Sequence, residues 1–499
     1  MFFGVLGERV YMLYDVPHIF KNIRNNLLTY NFVIDGKVVS FKYIRQMFDE
    51  DQKSNLRLAT KLTKYHFELL PFKKMNVRLA TQLLSHSTAA AMRTYVHFGR
   101  IDVQALDTAD FVEKIDQLFD ILNSMTAKAE RKWKKPLRLR EVEHFDFLRD
   151  SIDWIGRWTF INLASGKEKK LPFHSGLQQT VNGVLLATWD LLTKFEFSYV
   201  LTARFNQDAI ENFFACIRAK GRNNDTRTCT EYEQSVKHLA VNWLLQHPEG
   251  KTNCEDDADT FLTVMEHMKS IRRNADDTDG SIPATGLPSD LHNVADVTVV
   301  AASQIACHEP STITDWPDLF ELSEVDSNVV AYICGYLCMK VNARTDCSKC
   351  QSLYDNYRQH RSYLEETEFG SHEVYGHFRN FNWAKHGLQK PSFSLYSLCS
   401  SVEKIVQMNI EAVVSGRYSV AAKLLDIVLQ AVDLQTFELE SVCSAHQKQQ
   451  LIYVTNLYLR LRIFHFVKIR NRELKDMEIL RKNKAVTKKN RKLDKISHR

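Results

Sequence analysis

Asp208 and Glu211 stand three positions apart in the stretch Arg204-Phe205-Asn206-Gln207-Asp208-Ala209-Ile210-Glu211-Asn212-Phe213-Phe214. On a helix that spacing puts both carboxylates on one face, one turn apart. Asn206 suits an N-cap, and Asp208 falls in the first turn, where unpaired backbone N–H groups favour an anion. Phe205, Phe213 and Phe214 are expected to enter a core and pin the acids at its rim. A further acid, Asp15, ends the apolar run that starts at Arg9 and precedes Val16-Pro17-His18, with Lys21 and Arg24 just beyond. A carboxylate at a strand end before a Pro-started helix caps that helix or offers a hard oxygen to a divalent cation. An isolated acidic pair is usually a solvated helix face, so chemistry here requires the two stretches to converge.

The elements that must bring them together can be traced by periodicity. Phe32 to Phe41 predicts a hairpin with Asp35-Gly36 at the turn. From about residue 51 to 200 the pattern turns helical, with amphipathic stretches over Met75–Gly99, Phe111–Met125, Leu137–Leu163 and Leu177–Phe195. Residues 225–245 continue as helix. The composition then shifts to acidic clusters and prolines from His247 to about Asp326, which predicts a linker, partly disordered. Helices resume near Val329 and run through Phe466, including Tyr396–Asn409 and Arg417–Asp433. No internal repeat is found.

Four blocks occur in order along the first half of the chain. They are Asp15-Val16-Pro17-His18 with Lys21-Asn22-Ile23-Arg24-Asn25-Asn26; Lys61-Leu62-Thr63 with Lys74 to Ala80 and Leu84-Ser85-His86-Ser87; Leu118-Phe119-Asp120-Ile121-Leu122-Asn123-Ser124; and Asn206 to Phe214. Together they resemble the P-element-type DNA transposases, the group that includes THAP-domain transposases and their domesticated relatives. The resemblance implies a partial α/β RNase H-like core, interrupted by a mainly α-helical insertion domain and followed by an α-helical C-terminal domain. The implied boundaries are 1–50 for the first part of the core and 51–200 for a GTP-binding insertion. Residues 201–245 would be the last part of the core, 246–328 the linker, 329–466 the C-terminal domain and 467–499 a basic tail.

The same resemblance assigns roles. Such enzymes cut and join DNA by in-line attack at a phosphodiester, with two Mg²⁺ ions held by converging acids. Asp15 matches the family's second acid and Glu211 its last. The first acid lies on a strand upstream of Asp15, where Glu8 is the sole acid, set in a Gly-Glu-Arg turn, and the family's opening zinc finger is absent as well. A truncated or catalytically impaired enzyme is therefore expected. For GTP, Asp120 and Asn123 match the family's Asp-x-x-Asn pair, with Phe119 available to stack and Lys61 and the Val77 backbone also in contact. Asp208 accepts from the two adjacent donors that guanine has and adenine lacks. His18, Lys21, Arg24, Arg218, Lys220 and Arg222 flank the acids and are expected to touch DNA phosphates. The implied partners are transposon ends and target DNA, bound by an oligomer of identical chains in the nucleus. The alternatives are a domesticated, non-catalytic DNA- and GTP-binding protein, or a helical scaffold whose acids are solvated surface.

Bulk properties agree with a large nuclear or cytosolic protein. The 499 residues suggest roughly two to four domains. No apolar run is long enough to cross a membrane and no signal peptide opens the chain. The 10 cysteines are scattered, which fits reduced thiols. Four of them, Cys334, Cys338, Cys347 and Cys350, lie close enough in sequence to hold one zinc ion, against the alternative of ordinary thiols. Of the net charge of +6, residues 468–499 carry thirteen basic and four acidic side chains, leaving the rest at −3. A tail of that density suits nucleic acid or nuclear import.

Overall fold

Asp35 and Gly36 both take positive φ, 51° and 80°, which is the backbone a two-residue Asp-Gly hairpin turn demands. The turn is seen in a computed structural model of the chain. It describes residues 2–242 save 6–7, 69–73, 130 and 221–227. In the second half it describes 320–342, 347, 374–379, 391, 393–414, 419–432, 446, 448–471 and 474. The fold is mostly helical with few, short strands. The chain divides into two units, residues 1–52 with 61–287 and residues 53–60 with 288–499.

The first unit opens with an antiparallel hairpin, β1 (Phe2–Val5) and β2 (Glu8–Tyr11). Glu8 is thus the first residue of a strand rather than part of the turn before it. Helix α1 (Val16–Leu27) follows, burying Val16, Ile19, Phe20, Ile23 and Leu27 at helical spacing. Strand β3 (Tyr30–Ile34) pairs on one side with β4 (Lys37–Val39) and on the other with β5 (Trp158–Asn162), both antiparallel. Between them run α2 (Phe41–Asp51), α3 (Val77–Leu83), α4 (His86–His97), α5 (Ala105–Leu122) and α6 (Val142–Gly156). Helix α7 (Pro172–Thr193) leads back toward α8 (Asp208–Lys220) and α9 (Cys229–Asn242).

Two predicted helices are corrected here. Met75–Gly99 splits into α3 and α4, because Ser85 takes an extended conformation (φ −115°, ψ 153°) and starts a new helix. Leu137–Leu163 holds α6 and then β5, where Trp158 and Phe160 are buried on either side of exposed Thr159. That alternation is the two-residue period of a half-buried strand. The buried rings meet Phe32, whose ring centroid lies 4.9 Å from Phe160 and 5.7 Å from Phe111 of α5. Phe32 is fully buried, and each such ring is worth about 1.5–3 kcal/mol of burial.

The second unit is built from α10 (Glu324–Asn342), α11 (Val374–Arg379), α12 (Phe393–Val414), α13 (Val420–Ala431) and the helical residues 448–471. Residues 53–60 are tied into it: the Leu56 N–H donates to Asp326 Oδ1 at 2.8 Å and the Tyr375 hydroxyl to the Leu58 carbonyl at 2.9 Å. The predicted linker falls almost wholly outside the described residues, as does nearly all of the basic tail.

Candidate active site

Asp15 is placed by α7. The Tyr14 N–H donates to Thr180 Oγ1 at 3.0 Å, and Tyr11 hydrogen-bonds to Asp190 on the same helix. Between these ties Gly183 lets the backbone come close: a Cβ there would lie 2.5 Å from Leu13 Cδ2 and 2.8 Å from the Met12 carbonyl oxygen. The stretch Met12–Tyr14 therefore lies flat on α7 and delivers Asp15 to the start of α1. There Asp15 Oδ2 accepts from the His18 N–H at 3.0 Å, a side-chain cap. Its other oxygen, Oδ1, accepts from the Gln207 N–H at 2.8 Å, across 192 positions of sequence. Gln207 immediately precedes α8, so two helix starts converge on one carboxylate. Both present partial positive charge to it, which suits an acid only 6% exposed.

Glu211 joins this site from the first turn of α8. His18 lies between the two acids, its Nε2 3.1 Å from Glu211 Oε1 and its Nδ1 3.4 Å from Asp15 Oδ2. With a hydrogen on each ring nitrogen the imidazole is a cation flanked by two carboxylates. Glu211 and His18 stay accessible, their side chains 30% and 36% exposed. The His18 ring, expected to flank the acids, lies between them.

The expected N-cap at Asn206 is replaced by a different arrangement. The helix starts at Asp208, and the Asn206 amide turns away to donate to Asn123 Oδ1 at 2.7 Å. Asn123 ends α5, so this bond ties the nucleotide set expected from sequence to the acid pair. Phe213 and Phe214 are corrected too: both remain exposed, because α8 turns Ala215 and Ile217 inward instead. Phe214 meets the ring of its neighbour Phe213 at 6.1 Å and that of Tyr232 on α9 at 6.5 Å.

Among the other nucleotide candidates, Asp120 lies 3.5 Å from Lys134 Nζ. Burial pushes its carboxyl up, against the pull of Lys134 and Arg131. One turn earlier, Asp116 is pushed up to about 7, by burial first and by the Asp120 charge second. Phe119 is corrected as a stacking platform. Its ring packs on Phe20 at 4.7 Å and the residue is 8% exposed, which leaves little surface for a base. Val77 is a buried residue that opens α3, Lys61 is exposed, and Asp208 is half-exposed at the start of α8.

The expected phosphate contacts change most. Arg24 is fully buried: its guanidinium donates to the Lys74 carbonyl at 3.0 Å and the Asn76 carbonyl at 3.3 Å. Burial lowers its pKa to about 10. It holds the entry to α3 and cannot reach DNA. Lys21 is buried as well, at 7%. Arg218 is exposed on α8, Lys220 ends that helix, and Arg222 lies outside the described residues.

Cys334 and Cys338 point from α10 into the second unit beside Cys399 of α12. Burial, with Cys399 next, pushes the Cys338 thiol up to about 12. Cys347 is half-exposed and Cys350 lies outside the described residues. Among the described residues no three His, Cys, Asp or Glu side chains are arranged to hold a metal ion.

Acids from two distant stretches thus meet at one rim of a mostly helical unit. Three family models match the chain in order. Residues 17–136 match "TNP-like, GTP-binding insertion domain", 203–237 match "TNP-like, RNase H C-terminal domain", and 321–468 match "DNA transposase THAP9, C-terminal domain". The Transposable element P transposase of Drosophila melanogaster is 27% identical over 259 residues, 51% of this chain and 34% of that protein. The human DNA transposase THAP9 is 23% identical over 418 residues, 80% of this chain and 42% of that protein. A solved "Drosophila P element transposase strand transfer complex" is similar at 26% identity and a TM-score of 0.43, covering 49% of this chain and 54% of that one. The chain thus spans less than half the length of these two curated relatives. In the order of its three matched segments and in both curated relatives, the chain resembles the P-element-type transposases.

Proposed function

We propose that this chain is a truncated or catalytically impaired P-element-like DNA transposase, cleaving DNA and transferring strands with Mg²⁺ at Asp15 and Glu211 and binding GTP through its insertion domain. The observation that carries the reading is the meeting of Asp15 and Glu211 on the two nitrogens of His18. Two carboxylates suffice for Mg²⁺, which is commonly held by one or two protein acids with water and substrate phosphates completing its shell. Their convergence is visible in the His18 imidazole, which lies within 3.1 Å of Glu211 and 3.4 Å of Asp15. Bound there, the metal would supply an activated oxygen nucleophile and neutralise the leaving oxygen. The chain's own share is to hold the two acids by converging helix starts and to keep Glu211 open to solvent.

GTP would be read by Asp120, Asn123 and Asp208, with Lys61 and the Val77 backbone beside them. The match of residues 17–136 to a GTP-binding insertion domain supports this, and also supports an insertion that begins directly after Asp15 rather than at 51. The Asn206–Asn123 bond supports a link between nucleotide and acid sites. The partner DNA, assembly of several copies on it, and a nuclear location complete the reading.

The test is a Mg²⁺-dependent cleavage and strand-transfer assay on the full chain beside Asp15→Asn and Glu211→Gln, with GTP binding measured by calorimetry. The proposal expects products from the wild type and none from either variant, with GTP heat retained in Glu211→Gln. GTP binding without products in any divalent metal would make the chain a non-catalytic DNA- and GTP-binding descendant. Neither signal would leave a helical scaffold.

A further inference from the structure

With Lys21 and Arg24 buried, the cations that meet DNA must lie elsewhere, and one stretch of the first unit stands out. Residues 128–140, Lys-Ala-Glu-Arg-Lys-Trp-Lys-Lys-Pro-Leu-Arg-Leu-Arg, hold seven basic residues and one acid. Their net +6 equals that of the whole 499-residue chain. Lys128, Arg131, Lys134 and Arg140 are exposed, while Lys132, Lys135 and Arg138 are half-exposed. Lys132 is paired with Glu143 at 2.6 Å and Lys134 with Asp120 at 3.5 Å. Lys128, Arg131, Lys135 and Arg140 have no ion-pair partner among the described residues. Four cations without an ion pair of their own on one short surface segment repel each other, a cost that Asp120 and Glu143 offset only in part and that a polyanion relieves.

The described residues of the strip are also held in shape. Its backbone is pinned at three points: Ser124 Oγ donates to the Lys134 carbonyl at 2.9 Å, His144 Nε2 meets the Lys132 carbonyl at 2.9 Å, and Leu137 exchanges hydrogen bonds with Val200 at 3.0 and 3.1 Å. Arg138 lies over the Tyr199 ring at 5.4 Å. The same bonds fix where the strip leads. The Ser124 N–H donates to Thr202 Oγ1 at 2.9 Å, and four residues on Asn206 holds Asn123 while Gln207 holds Asp15.

We infer that residues Lys128–Arg140 form a DNA-backbone contact surface that leads a phosphate strand toward the Asp15–Glu211 site. The direction rests on the function proposed above; the binding itself does not. Contacts to phosphates position a duplex without reading its sequence, and that is the role assigned to the strip.

The test uses the full chain and a fluorescently labelled DNA duplex of arbitrary sequence, with anisotropy followed from about 50 to 200 mM salt. One variant carries Lys128→Gln, Arg131→Gln, Lys135→Gln and Arg140→Gln. A control of equal charge change carries Lys42→Gln, Lys167→Gln, Lys169→Gln and Lys170→Gln, all exposed positions of the same unit. Each released phosphate contact contributes roughly 0.9 to the slope of log affinity against log salt. The strip variant should therefore bind with a slope shallower by about 2–4 and at least roughly tenfold more weakly at low salt. The control should keep the wild-type slope, and circular dichroism should be unchanged in both. Equal slopes in strip variant and wild type, or an equal loss in the control, would overturn the inference while leaving the acid site untouched. A wild type that binds no DNA would overturn the inference together with the transposase reading.

Discussion

Glu403 and Glu211 are the same side chain, each on a helix of its own unit, and they have opposite fates. Glu403 is fully buried in the second unit. Arg462 Nε donates to its two oxygens at 2.8 and 3.1 Å, the Tyr458 hydroxyl at 2.8 Å and the Gln407 amide at 3.1 Å. Burial still pushes its carboxyl up, with Arg462 pulling the other way. Every donor it needs comes from the chain itself, so its energy goes into the fold. Glu211 sits at a rim, shares an imidazole with Asp15 and keeps 30% of its side chain exposed. An acid closed by its own protein stabilises; an acid gathered with another and left open has capacity for a ligand.

The most damaging way to press that contrast is Glu403→Ala. It leaves the Arg462 charge buried, at 4% exposure, without its counter-ion. Removing one partner of such a pair costs about 3–5 kcal/mol, so the calorimetric transition of the second unit should fall sharply or vanish. A melt like that of the wild type would mean the cluster is not structural. Glu211→Gln should do the reverse. Strand transfer should drop at least a hundredfold, equivalent to about 2.7 kcal/mol of barrier, while stability stays within about 0.5 kcal/mol, as for an exposed substitution. A large loss of stability there would make Glu211 a second Glu403.

Gly183→Ala probes the support beneath the open site. The new methyl must displace Leu13 or the Met12 carbonyl, and overpacking of this kind costs about 1–3 kcal/mol. Since Met12–Tyr14 carries Asp15, the loss of strand transfer should exceed what the lowered melting temperature explains, whereas Glu403→Gln should leave activity per folded molecule unchanged. Activity that tracks the folded fraction alone in Gly183→Ala would separate α7 from the site.

Much of this was legible from sequence, where local chemistry decides. Asp15 caps its helix and Asp35-Gly36 turns its hairpin, because both depend on a handful of neighbouring residues. Arg24 was readable in principle: it lies four positions after Phe20, on the stripe of Val16, Ile19, Phe20 and Ile23 that must be buried. Its charge outweighed that stripe in the reading, and only the carbonyls of Lys74 and Asn76 explain how it can be tolerated inside. Trp158 and Phe160 alternate as a strand should, yet an apolar window running on from α6 concealed a five-residue element. His18 between two acids, and Gly183 beneath Leu13, are long-range contacts with no local signature.

The last contrast concerns Asp116, an acid that is neither open like Glu211 nor fully served like Glu403. It is half-buried by surface area, but protein atoms crowd its carboxyl, and together with Asp120 they push it from 3.8 to about 7. His86 and Lys134 pull it back only in part. The folded state therefore holds this proton more tightly than the unfolded chain. Below about pH 4 both states are protonated and the group contributes nothing. As pH rises from there to about 7 the unfolded chain ionises first, so the folded state loses stability through that window and no further above it. Asp116→Asn keeps an oxygen for the His86 backbone N–H and carries no charge. The urea midpoint of the wild type should fall relative to this variant between pH 5 and pH 7. A constant difference across that window would place Asp116 with the ordinary surface acids.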